Sequence, residues 1–210
     1  IIEQLKQIRN DCKVVVAGDG NLFNQVKSKA KKLGLDSDII FLGNVKETKE
    51  IYAICDITLN CSLKEGLALT SYESLSMGVP VVSCDVGGQK ELINSEVGAI
   101  VPCMQKETDI LDYNYKQKEI MQYVNAVNKI LENLEQYKKN ARKRIVNGFT
   151  IDKMVKDMAK ILEETSKNPN EEKTNNGKAL IGCKDLTKEL INMYFQESEI
   201  EYDWLCDEHN

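Results

Sequence analysis

With 210 residues, 42% of them apolar and 29% charged, the chain has the composition of a soluble globular protein. A chain of this size buries roughly 70% of its unfolded surface, enough for one main core with appendages. Its net charge of −5 argues against non-specific nucleic-acid binding, which rests on clustered Lys and Arg. No apolar run approaches the roughly twenty residues that would span a bilayer. The seven cysteines, at 12, 55, 61, 84, 103, 183 and 206, form no C-x-x-C pair, and His209 is the single histidine. Reduced thiols, no bound metal and a cytoplasmic location are therefore expected. The N-terminal IIEQLKQIRN is a mixed helical pattern, unlike a secretory signal.

In chain order, Ile1, Ile2, Leu5 and Ile8 mark a short amphipathic helix. Lys13 to Gly18, KVVVAG, is a β-branched apolar run of the kind buried in parallel sheets. Asp19-Gly20-Asn21 breaks it, and 22–33 reads as a Lys-rich helix closed by Gly34. A second strand is expected at 39–42, a helix around 47–54, and further strands at 56–61, 79–84 and 98–102. Strands alternating with helical patterns of about ten to fifteen residues imply β-α units, a parallel sheet and helices on both faces.

Ligands of such sheets bind beyond the carboxyl ends of the strands. The loops there contain Gly18-Asp19-Gly20, Gly43-Asn44-Val45, Lys64-Glu65-Gly66 and Asp85-Val86-Gly87-Gly88. Each has glycine where a backbone could approach a ligand, although turn chemistry also asks for glycine in such places. Asp36-Ser37-Asp38 matches a metal-binding D-x-D pattern, but it precedes a strand, at the wrong end of the sheet, and reads as a turn. A dinucleotide-binding fingerprint is incomplete, because Phe23 stands where Gly18-x-Gly20 needs its third glycine.

Past Pro102, Ile120, Val124, Val127, Leu131 and Leu134 form one apolar stripe on a long helix. Lys138, Lys139, Arg142, Lys143 and Arg144 read as a solvated helix face, with an anionic membrane surface or substrate as the alternative. Thr150 caps a last helix whose buried face is Met154, Val155, Met158, Ile161 and Leu162. The expected division is a main domain at 1–165, a polar linker at 166–178, and an acidic extension with one short helix at 179–210.

The central stretch, LKEGLALTSYESLSMGVPVVSCDVGGQKELI from Leu63 to Ile93, holds two spaced carboxylates, Glu65 and Glu73. Like charges repel phosphate, whereas a carboxylate accepts two hydrogen bonds from a vicinal diol, each contributing about 1.5–3 kcal/mol. A phosphate suits the start of the helix after Gly66, where unpaired N–H groups of Leu67, Ala68 and Leu69 carry about half a positive charge. On these residues alone, two solvated surface glutamates are the plainer reading.

AGDG, FLGNV, EGLALTSYESLSMGVPVVSCDVGGQKELI and VGAIVP occur in an order and spacing that resemble the C-terminal domain of retaining family-4 glycosyltransferases of the GT-B fold. The resemblance runs from about Ile1 to Glu164, and its most specific part is Glu65-x7-Glu73 with Gly87-Gly88 after it. It implies a Rossmann-like nucleotide-sugar-binding domain. Glu65 would take the catalytic position against the donor-sugar hydroxyls and Glu73 would hold the ribose diol. Gly66, Leu67, Ala68 and Leu69 would meet the sugar and diphosphate. Gly43, Asn44 and Val45 would lie near the base, with Gly18 and Gly20 lining the cleft. Ala68 stands where the family usually has a second glycine, and Ser74 and Ser76 where it has an alanine-rich helix.

The implied function is donor binding in hexose transfer from a UDP- or GDP-sugar to a glycan or lipid-linked acceptor, with retention. Capsule, cell-wall or glycolipid assembly is the expected setting, at or near the inner membrane face. No cofactor and no tightly bound metal are expected. The family's phosphate-binding Arg and Lys and its acceptor domain would precede Ile1, so these 210 residues alone are expected to bind weakly and not to transfer. The alternative is a non-catalytic nucleotide- or partner-binding module on the same fold.

Overall fold

The computed structural model describes residues 1–104 and 115–167. The chain divides after Thr150, and the part from Ile151 onward is described by itself. The expected short helix of the acidic extension, and the linker beyond Lys167, lie outside the described residues.

Every expected strand forms within a residue or two of its apolar run. Helix α1 is Ile2–Ile8, β1 Val14–Ala17, α2 Phe23–Lys32, β2 Ile39–Gly43 and α3 Lys49–Ile54. They are followed by β3 Thr58–Asn60, α4 Leu69–Ser76, β4 Val81–Cys84, α5 Gln89–Leu92 and β5 Gly98–Val101. All pairings are parallel, as helical crossovers require. The ladder is divided, however: β1 pairs with β2, and β3, β4 and β5 form a second sheet in that order.

Alternation along β4 builds two core layers. Val82 and Cys84 face α1 and α6 through Leu5, Tyr123, Val124, Val127 and Ile130. Val81 faces α4, α5 and α7 through Leu75, Leu92, Ala141 and Ile145. Helices thus cover both faces of the second sheet. In the first, β1 is half-buried up to Ala17, and Ile40 and Leu42 of β2 are 50% and 45% exposed. Lys6 of α1 reaches across to Asp38 at the base of β2, 3.0 Å away, and its chain-mates Leu5 and Ile1 pack in the core of the second sheet.

Three further expectations change on folding. The long helix is two, α6 Gln117–Glu132 and α7 Leu134–Gly148, broken at Asn133, whose backbone leaves the helical region at φ −133, ψ 36. Asn133 closes one helix by donating to Ile130 O and opens the next by accepting from Gln136 and Tyr137 N–H. Much of the basic run on α7 is also not solvated. Arg142 donates to Ser76 O at 2.7 Å, and Arg144 to Glu91 O and Leu92 O at 2.7 and 3.1 Å. Cationic groups there satisfy the last carbonyls of α4 and α5, where the helix dipoles are negative. Lys138 pairs with Asp56 at 2.8 Å, leaving Lys139 and Lys143 exposed.

The last helix, α8, spans Ile151–Lys167. Of the five residues expected to form its buried face, Val155 and Leu162 are half-buried, while Met154, Met158 and Ile161 are 48%, 54% and 62% exposed. No helix among the described residues is long and apolar enough to cross a membrane.

Candidate functional site

The loop from β3 to α4 is set by local polar bonds. Asn60 Oδ1 accepts from Ser62 N–H at 3.1 Å, and Tyr115 donates to the Cys61 carbonyl at 2.7 Å. Helix α4 then begins at Leu69 with Ala68 as N-cap, so no side chain caps its first N–H groups. Its first turn holds no acidic residue either. An uncapped start of this kind offers donors and a positive field to an anion. Leu67 and Leu69 flank it exposed at 42% and 72%, while Ala68 is buried.

Serines anchor the inward face of α4. Ser74 Oγ lies 2.8 Å from Thr58 Oγ1 and 2.9 Å from Val79 O, and Ser71 donates to Gln89 Oε1 at 3.0 Å. Ser76 bonds back to Tyr72 O. Ser74 and Ser76 are therefore interior groups, turned away from the outer face of the helix.

Glu65 is half-buried and Gly66 exposed, and their backbone is pressed from behind. Gly87 has φ +52, and a Cβ there would run into the carbonyl oxygens of Glu65 and Gly66. Gly88 N–H donates to Gly66 O at 2.8 Å. The Gly87-Gly88 pair thus makes a close approach to the Glu65 loop.

Glu73 sits in the second turn of α4, half-buried. Its Oε2 accepts from Tyr52 Oη at 3.0 Å and lies 3.4 Å from Thr48 Oγ1. Oε1 has no bond from any described residue. Tyr52 is 9% exposed on α3 and also lies 3.2 Å from Thr70 O. Burial, and then the Glu73 charge, push its phenol above the ordinary tyrosine range, so it stays a donor at all working pH values. Tyr52 and Thr48 escape a reading of the sequence. The one signal is a phenol on an apolar helix face, which needs a partner once buried.

The remaining residues stand where strands end. Gly18 and Gly20 are exposed between β1 and α2, Gly43 closes β2, and Asn44 and Val45 lead toward Thr48. Gly18 N–H donates to Gly43 O at 2.6 Å, which joins the two loops, and Gly43 turns at φ +68. Among the described residues no hydrogen bond joins the Gly18–Gly20 loop to Glu65. At the opposite end of β2, Asp38 pairs with Lys13 at 2.9 Å and with Lys6, and these partners hold its carboxyl below the usual carboxylate value. Among the described residues no cluster of three or more His, Cys, Asp or Glu could hold a metal.

A cleft of about 330 Å³ runs along β5, lined by Ile93, Asn94, Ile100, Ala126 and Tyr137. It shares no residue with the loops above, and no carboxylate lines it.

Residues 1–144 match the family described as glycosyl transferases group 1. The chain is 36% identical over 100 residues to an alpha-1,4-N-acetyl-D-galactosaminyltransferase of Campylobacter jejuni, which covers 47% of this chain and 27% of that protein. It is 28% identical over 148 residues to UDP-Gal:alpha-D-GlcNAc-diphosphoundecaprenol alpha-1,3-galactosyltransferase of Escherichia coli, covering 69% and 35%. The fold is like that of HepE from Anabaena, solved in complex with UDP-glucose, at a TM-score of 0.61 and 20% identity over 78% of this chain and 44% of that one. The chain spans 22–27% of the length of three curated relatives. Its match over residues 1–144 of 210 makes it a member of the glycosyl transferases group 1 family.

Proposed function

We propose that the chain is the donor-binding part of a glycosyltransferase that moves a hexose from a UDP- or GDP-sugar to a glycan or lipid-linked acceptor with retention. The observation that carries this reading is Glu73, held through Oε2 and free at Oε1, one turn along from the uncapped start of α4. A diphosphate takes the N–H groups of Leu67, Ala68 and Leu69, and the helix field stabilises the charge that grows on it as the sugar departs. Glu73 accepts the ribose diol and Glu65 the sugar hydroxyls, while Gly43, Asn44 and Val45 border the base and Gly18 and Gly20 the outer cleft. The UDP-glucose in HepE and the UDP-Gal and diphosphoundecaprenol in the name of the E. coli relative support a uridine donor and a lipid-linked acceptor. The setting is glycan or glycolipid assembly at the cytoplasmic membrane face, without a resident cofactor or metal.

Calorimetric titration with UDP, UDP-glucose, GDP and GDP-mannose tests the reading. Glu73→Ala is expected to weaken nucleotide binding about tenfold or more, equivalent to one lost charged hydrogen-bond pair. Glu65→Ala is expected to leave UDP affinity in place and remove the preference for UDP-glucose over UDP. Wild-type protein that binds none of the four at millimolar concentration would favour the partner-binding module instead.

A further inference from the structure

We propose that Tyr52, assisted by Thr48, is the positioning residue of the nucleotide subsite: together they hold one oxygen of Glu73 so that the other is presented, already oriented, to the ribose diol. The inference rests on the donor-site reading above and adds two residues outside the central stretch.

The two hydroxyls converge on one atom. Tyr52 Oη is 3.0 Å and Thr48 Oγ1 3.4 Å from Glu73 Oε2, and no described residue bonds Oε1. A glutamate side chain left alone on a helix samples several rotamers, and a ligand that needs one of them must freeze the rest. Anchoring Oε2 removes most of that freedom before the ligand arrives, while leaving lone pairs for a diol. Packing holds the anchor in place: Tyr52 is 9% exposed, and the shorter of the two contacts its single O–H can make is the one to Glu73, 3.0 Å against 3.2 Å to Thr70 O. Burial, and then the Glu73 charge, push the phenol above its ordinary range, so it keeps the proton that it can donate to Glu73. Helix α3 follows the Gly43–Val45 loop directly, with Thr48 as its N-cap. The same short segment therefore carries the proposed base-side loop and the two groups that aim the ribose acceptor.

The test compares UDP and GDP with their 2′,3′-dideoxy counterparts, by calorimetry, on wild type, Tyr52→Phe, Glu73→Ala and the double variant. Tyr52→Phe keeps the ring packing and removes only the hydroxyl. It is expected to weaken binding of the preferred ribonucleotide about fivefold, the order of one hydrogen bond to a charged group, with the dideoxy compound unaffected. On the Glu73→Ala background it should have no further effect, as for residues acting through one another. Thr48→Val, in the same series, is expected to follow with a smaller loss, and it carries the test should Tyr52→Phe fail to fold by thermal unfolding. If wild type prefers the ribonucleotide and Tyr52→Phe keeps that preference, or weakens both compounds equally, the positioning role is overturned while the Glu73 reading stands. If wild type shows no preference, or binds neither nucleotide, the Glu73 reading fails and this inference with it.

Discussion

The two sheets of the main unit are built from similar sequence and end in different environments. KVVVAG and VPVVSC are both short β-branched runs, yet Val81 and Val82 are fully buried between two helix layers while Ile40 and Leu42, on the strand paired with β1, are about half exposed. The carboxylates stand on the buried half: Glu65 and Glu73 belong to the loop and helix that follow β3, with Gly87 wedged behind one and Tyr52 bonded to the other. The exposed glycine loops belong to the lightly covered half. On the proposed reading, the groups assigned to the donor hydroxyls thus sit on the rigid side, and the backbone assigned to line the cleft sits on the softer one. Helix α3 connects them, since it leaves β2 and bonds to α4 through Thr48 and Tyr52.

Substitutions in the two halves should separate sharply. Leu75→Ala opens a cavity under α4 at a fully buried position and is expected to cost about 2–5 kcal/mol, read from urea unfolding. Gly87→Ala meets both a left-handed backbone and the carbonyls of Glu65 and Gly66, so about 1–3 kcal/mol of stability should go. The same change should also lower UDP-glucose affinity more than UDP affinity, because the Glu65 loop must move. Leu42→Ala, on the exposed face of β2, is expected to change stability by no more than about 0.5 kcal/mol. A Leu42→Ala cost as large as that of Leu75→Ala would erase the distinction between the halves.

Much of this was legible in the sequence because it is local. Short apolar runs, four of them flanked by glycine, located the five strands, and the seven-residue gap between Glu65 and Glu73 placed one in a loop and the other on the helix after it. Strand neighbours were not legible, because pairing depends on contacts distant in sequence: one expected sheet is two ladders. Asn133 broke a stripe that looked continuous, because its backbone leaves the helical region between Leu131 and Leu134, a change that apolar spacing does not register. Arg142 and Arg144 looked like surface charges until α7 packed beside the last turns of α4 and α5. The Tyr52–Glu73 bond joins residues 21 apart on different helices, so only their packing reveals it.

The central claim is that the β3–α4 segment, and not the cleft along β5, receives the nucleotide-sugar. Amide hydrogen exchange with and without millimolar UDP-glucose addresses it directly. The account predicts slowed exchange at Leu67, Ala68, Leu69 and Thr70 and at the Asn44 and Val45 amides, with Ile93 to Ile100 unchanged. Protection confined to Ile93 to Ile100, with the start of α4 exchanging as before, would contradict it.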